Sequence, residues 1–224
     1  MDFAPIDRVY RDCVNENVPN VTVQRLPVYL SCLESLGTER ERVSSEELAT
    51  LAGVTPAKIR KDLSYLGTFG VRGVGYDIEH LRFQIRVVLG LEEEWPVVIV
   101  GVGNLGRALA NYGGFQEHGF DVVGLFDADP AKVGTEYDGM LIRSLDELGP
   151  TIHESGATIG IITTPASAAQ ATAQALADAG IKSILNFAPV VIKPPGDVDI
   201  RRVDLSTELQ VLSFYLHRRG VDVE

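Results

Sequence analysis

VVIVGVGNLGRALANY, residues Val97 to Tyr112, decides the architecture of this chain. Val97 to Val100 is a continuous apolar run, the pattern of a strand buried on both faces of a parallel sheet. Gly101-x-Gly103-x-x-Gly106 follows at once and opens a helix through Ala108 and Leu109. In that context each glycine serves a separate purpose. Gly101 allows a tight turn, Gly103 the close approach of a pyrophosphate, and Gly106 the packing of helix on strand. The candidate phosphate turn is therefore Gly101, Val102, Gly103, Asn104, Leu105 and Gly106. A second strand, Val122 to Phe126, ends at Asp127, about 20 residues past the motif, where a carboxylate accepts hydrogen bonds from ribose hydroxyls. The same charge would repel a 2′-phosphate, so the pattern points to NAD before NADP. A domain of this shape holding another adenine nucleotide, such as coenzyme A, or none, stays open at this point.

Downstream the alternation continues. Strands are expected at Met140 to Ile142, Thr158 to Thr163 and Ile184 to Asn186, and helices at Leu145 to His153 and Ala166 to Ala179. Strands alternating with helices imply a doubly wound parallel sheet. Thr163, Thr164 and Pro165 follow the fourth strand, close to where such a crevice takes a nicotinamide; an ordinary strand-to-helix cap is the competing reading. Leu205 to Arg218 reads as a last amphipathic helix carrying Leu209, Leu212 and Leu216.

Upstream the pattern changes. Met1 to about Asn20 is polar and poorly periodic. Val21 to Leu36 places Leu26, Leu30 and Leu33 on one helical face, stopped by Gly37. After a short polar connection, Arg40 to Val43, Ser44 and Glu47 have capping-box spacing ahead of a short helix. Thr55-Pro56 starts another, running to about Leu66, with Thr55 as cap and Pro56 in the first turn. Two short helices about a glycine turn suggest a helix-turn-helix. The second has Ile59, Leu63 and Leu66 on its apolar side. Lys58, Arg60, Lys61, Ser64 and Tyr65 lie on the others, suited to a major groove. TFGVRGVGY, residues 68–76, reads as a β-hairpin wing with Arg72 near its tip, suited to a minor groove. Ile78 to Leu91 is a linking helix, and Trp95-Pro96 marks a boundary.

The chain has 224 residues, 45% of them hydrophobic, and a formal net charge of −11. That charge opposes nucleic-acid binding on average, but between Val54 and Tyr76 the cations Lys58, Arg60, Lys61 and Arg72 face one acid, Asp62. Cys13 and Cys32 lack metal-ligand spacing, so neither a zinc site nor a disulfide framework is expected. No signal peptide or membrane-length apolar run is visible, and a reducing cytoplasm is the expected compartment. A small NAD-dependent oxidoreductase competes with a sensor. After Asn186 too little chain remains for a substrate domain, and none of the four histidines marks a strand end, so no catalytic residue is assigned. A coenzyme A-binding module is the other competitor, and it leaves the basic wing without a purpose.

Four runs together carry a resemblance: PAKIRKDLSYLGTFGVRGVGY from Pro56, VVIVGVGNLGRALANY from Val97, LFDADPAKVG from Leu125 and ILNFAPV from Ile184. They resemble the Rex family of redox-sensing transcriptional repressors from about Val21 to Arg218. The resemblance implies a winged-helix domain (1–80), a linker helix (81–95), a Rossmann NAD(H)-binding domain (96–203) and a domain-swapped C-terminal helix (204–224). It implies a homodimer on palindromic double-stranded operator DNA, released when NADH replaces NAD+. Asn186 and Phe187 join the cofactor-binding set, and Lys58, Arg60, Lys61, Ser64, Tyr65, Arg72 and Gly73 the DNA-binding set. Arg25, Tyr112 and the partner's Asp204 form the switch. Leu205 departs from relatives that place an aromatic ring there against the nicotinamide.

Overall fold

The computed structural model describes residues 18–37, 39–67, 70–71 and 74–219. Arg72, Gly73 and Cys13, named above, lie outside the described residues. Backbone contacts divide the chain into two units, residues 1–93 and 94–224.

Among the described residues, the first unit opens with α1 (Asn20–Val23) and α2 (Leu26–Ser35). The single helix expected from Val21 to Leu36 is thus broken at Gln24 and Arg25. Pro27 sits in the first turn of α2, where its missing N–H costs nothing. Leu26, Leu30 and Leu33 are buried, as their spacing requires. Next come β1 (Arg42–Val43), α3 (Ser45–Leu51), α4 (Pro56–Ser64), β2 (Gly70–Val71), β3 (Gly75–Asp77) and α5 (Ile78–Val88). Thr55 caps α4 by accepting from Lys58 N–H at 3.3 Å. Ser44 caps α3 by accepting from Glu47 N–H at 3.1 Å. The reciprocal half of the box does not form, because the Glu47 carboxylate pairs with Arg40 at 2.6 Å. The supposed polar connection contains a strand: β1 runs antiparallel to β3, with Val43 opposite Tyr76, and β2 completes the wing on the other side of β3. Tyr29, Leu48, Ile59, Leu63, Leu81 and Ile85 meet in one core. The helix read as a linker therefore packs its inner face into the helix-turn-helix.

The second unit holds β4 (Trp95–Val100), α6 (Asn104–Ala110), α7 (Gly113–Glu117), β5 (Phe120–Phe126), β6 (Glu136–Tyr137) and β7 (Met140–Arg143). A 3-10 turn then leads into α8 (Leu148–Ser155), followed by β8 (Ile159–Ile162), α9 (Ala166–Asp178), β9 (Ser183–Asn186), β10 (Asp199–Arg202) and α10 (Leu205–Arg218). The sheet order is β10-β9-β8-β4-β5-β7-β6. Every neighbouring pair is parallel except β6 with β7. Trp95 and Pro96 lie inside β4, and Pro96 precedes the first pairing with β8, so it interrupts nothing on that side. On one face of the sheet Val98 and Val100 join Ala169, Ala173 and Leu176 of α9. On the other, Val97 and Ile99 join Val102, Leu125 and Ile161. Strand order reverses between β4 and β8, and a crevice at such a point takes ligands beyond the strands' carboxyl ends. Among the described residues, no helix is long and apolar enough to cross a membrane.

Candidate nucleotide crevice and nucleic-acid interface

The glycine turn is built at that reversal. Gly101 adopts φ +103°, and a Cβ there would meet the Thr163 carbonyl carbon at 2.8 Å. Thr163 Oγ1 donates to Gly101 O at 2.6 Å, stapling the turn to the end of β8. A Cβ on Gly106 would fall 2.0 Å from Gly101 O, so helix and turn touch backbone to backbone. Gly103, the N-cap of α6, has nothing within 4 Å of its missing Cβ. Space is thus open where a pyrophosphate would approach, beside first-turn N–H groups that a helix cannot use internally.

The other candidate residues divide by what they already hold. Val102 is wholly buried, and its N–H donates to Asp127 Oδ2 at 2.7 Å. Asn104 and Leu105 are exposed on the first turn of α6. Asp127 also accepts from Asp129 N–H through Oδ1 and from Lys132 Nζ through Oδ2, at 2.9 and 2.8 Å. Burial alone would raise its carboxyl, but those donors, Lys132 foremost, hold it below the usual carboxylate range. Three of about four lone-pair sites are filled, leaving Oδ1 room for one more donor. Lys132 escaped the sequence reading; a lysine five residues past a strand-end acid, after an Asp-rich turn, was the available signal.

Thr164 Oγ1 is buried without a hydrogen-bond partner, a state that a bound polar group would relieve. Pro165 is exposed at the start of α9. Asn186 is buried, and its amide makes two bonds: Nδ2 donates to Val190 O and Oδ1 accepts from Ala188 N–H, both at 2.9 Å. Its side chain shapes the loop after β9. Phe187 is half-buried and packs on the sheet. These positions fit a dinucleotide in three respects: the open face at Gly103, the unpartnered Thr164 hydroxyl and the free acceptor capacity of Asp127.

The expected switch residues already have partners in their own units. Asp204 caps α10 through Ser206 and pairs with Arg202. Its bonds to Ser206 come first in keeping its carboxyl below the ordinary range. Tyr112 is exposed, its ring edge-on to Phe115 at 5.2 Å. Arg25 pairs with Asp62, Nε and Nη2 each reaching one carboxylate oxygen at 2.6 Å.

On α4 the inward residues are Ile59, Asp62 and Leu63, and Lys58, Arg60, Lys61 and Ser64 are exposed, with Tyr65 just past its end half-buried. Ser64 Oγ donates to Lys61 O. Arg60 donates to Ser45 Oγ at 2.8 Å and to Glu46 Oε1 at 3.1 Å. Ser44, Ser45, Glu46, Arg60, Val71 and Tyr76 line an open groove between the helix pair and the wing.

Comparison with known proteins follows the same division. Residues 17–64 match the family model described as "Putative DNA-binding protein N-terminus", and residues 92–190 match "CoA binding domain". The redox-sensing transcriptional repressor Rex of Streptomyces griseus is 55% identical over 208 residues, 92% of this chain and 82% of that protein. Rex 1 of Thermotoga maritima is 48% identical over 92% of this chain and 99% of its own. Among solved structures, the Rex-family repressor RSP with β-NAD+ and operator DNA superposes with a TM-score of 0.83 at 38% identity, covering 91% of this chain and 94% of that one. RSP in complex with β-NADH gives the same score at 36% identity, covering 92% and 97%. The helix-turn-helix and the crevice thus recur together, across both units, in proteins of one kind: the chain belongs to the Rex family of redox-sensing transcriptional repressors.

Proposed function

We propose that this chain represses transcription by holding operator DNA with its first unit, and that NADH in the crevice of its second unit releases it. The observation that carries this reading is the pairing of two features in one chain. One is a helix-turn-helix with outward Lys58, Lys61 and Arg60; the other is an open glycine turn beside the unpartnered Thr164 hydroxyl. The relative RSP has been solved with β-NADH, and with β-NAD+ together with operator DNA, which supports both halves.

When bound, the dinucleotide brings a ring that is cationic when oxidised and neutral when reduced. Gly101, Gly103 and the first turn of α6 would hold its phosphates, Asp127 a ribose, and Thr164 a polar group. The partner's Asp204, re-pairing between Arg25 and Tyr112, answers the change in charge. Only a difference in affinity between the two states can drive such a shift. The chain senses the cofactor rather than turning it over, as membership of a family of transcriptional repressors implies. A repressor works where the DNA is, in keeping with a cytoplasmic protein.

Homodimerisation through α10 completes the reading. Leu205, Leu209, Leu212 and Leu216 share one side of the helix and are all about half or more exposed, and no residue of the helix is buried. A contiguous apolar face of this kind is normally covered by a partner, and a twofold protein asks for a palindromic operator.

The deciding experiment is fluorescence anisotropy on palindromic duplexes at fixed salt, titrated with NADH and then NAD+. Release by NADH alone is expected. Tight cofactor binding with no DNA complex on any duplex would return the oxidoreductase and coenzyme A readings.

A further inference from the structure

The first unit contains a buried ionic cluster that no DNA contact can use directly. Asp62 lies on the inward side of α4 and is 1% exposed. Its Oδ1 accepts from Thr22 Oγ1 at 2.9 Å and from Arg25 Nη2 at 2.6 Å. Its Oδ2 accepts from Arg25 Nε at 2.6 Å and from the Tyr29 hydroxyl at 2.7 Å. One carboxylate thus gathers donors from α1, from the turn after it and from α2, filling about four lone-pair sites. Burial pushes the Tyr29 hydroxyl up to about 12, with Asp62 adding to the effect.

We infer that Asp62 is a positioning residue for operator recognition, a lock that fixes the rotation of α4 and so aims Lys58, Lys61 and Ser64. The inference rests on the DNA-binding reading above and deepens it. The apolar contacts of Ile59 and Leu63 hold α4 against the core but are non-directional. The bidentate Arg25 fork and the Tyr29 hydroxyl fix angles as well as distance. Asp62 and Lys61 are adjacent on the helix, so a small turn of α4 about its axis displaces the lysine by a comparable arc on the outer side. Arg25 keeps 26% of its side chain exposed. It is the member of the cluster most open to solvent, and a competing acid there would loosen the hold on α4. That gives the switch role expected of Arg25 a route to the recognition helix.

The test uses the full chain and two probes. One is a duplex enriched by the wild-type protein from a random pool; the other is a shuffled duplex of equal length and composition. Asp62→Asn keeps the volume and removes the charge. Charge removal alone would tighten both duplexes alike, and partial unfolding would weaken both alike; neither moves their affinity ratio. A positioning role lowers the ratio, on the order of tenfold, the scale of one lost base-pair preference. Tyr29→Phe deletes one bond from a wholly buried ring and should lower the same ratio less, which covers the case in which Asp62→Asn fails to fold. An unchanged ratio in whichever variant folds overturns the inference alone. A wild-type chain that enriches no duplex overturns the DNA-binding reading, and the inference with it.

Discussion

Lys132 places its ammonium 2.8 Å from Asp127 Oδ2, the oxygen that also accepts the Val102 N–H. The strand-end acid is therefore part of a salt bridge that ties the β5 end to the turn following it. Exclusion of a 2′-phosphate by Asp127 is set against a cation one bond away. Asp127→Asn should leave Lys132 without its counter-charge and move the preference from NADH toward NADPH. Lys132→Met should do the reverse. Competition titrations with the two reduced cofactors measure both.

The same bridge makes a pH prediction. The Asp127 carboxyl is depressed on folding, so it adds stability that is complete above its unfolded value, about 3.9, and is lost as pH falls through the lower folded value. Lys132→Met removes the first of the stabilising donors. Denaturant midpoints of the variant should therefore depend less on pH between about 5 and 2 than those of the wild type. Parallel curves would show that Lys132 contributes nothing to the depression.

Gly103→Ala and Gly106→Ala should separate binding from folding. A methyl on Gly106 would strike Gly101 O, a backbone atom that cannot yield, and should cost at least about 1–3 kcal/mol. A methyl on Gly103 meets nothing, so the melting temperature should barely move while NADH affinity falls.

Thr163→Val and Thr164→Val make a similar pair. Thr163 loses its bond to Gly101 O and should destabilise the fold by about 1 kcal/mol. Thr164 has no bond to lose, so its variant should keep full stability and bind cofactor less tightly. Differential scanning with and without NADH reads both effects.

Glu46 shares Arg60 with Ser45 on the groove side of the helix pair. Glu46→Gln should free Arg60 for phosphate, tighten DNA binding and steepen the salt slope by roughly 0.9 for one added contact. An unchanged slope would mean that Arg60 already leaves Glu46 on binding.

How much of the molecule was legible depended on the range of the signal. Caps and turns are local, and Ser44, Thr55 and the Gly101 turn were readable because each acts within a few residues. The doubly wound order followed from alternation alone. β10 was not readable: Asp-Ile-Arg-Arg is polar and becomes a strand only by lying beside β9. β1 is two residues long and exists because β3 pairs with it. Asp62 looked like one acid diluting a basic patch; its donors are 33 to 40 positions away, and nothing local says that it turns inward. Asn186 stands at its strand end as the alternation requires, but its occupation by Val190 and Ala188 depends on how the following loop folds back.

On the proposed homodimer, the uncovered apolar face of α10 makes concentration a thermodynamic variable for this chain. Where folding of a segment is completed by association, its stability cannot be separated from protomer concentration. Dilution then acts on the last helix as a mild denaturant would. Binding curves taken at nanomolar and at micromolar protein sample different ensembles, and a cofactor response that fades on dilution would report assembly before it reported affinity.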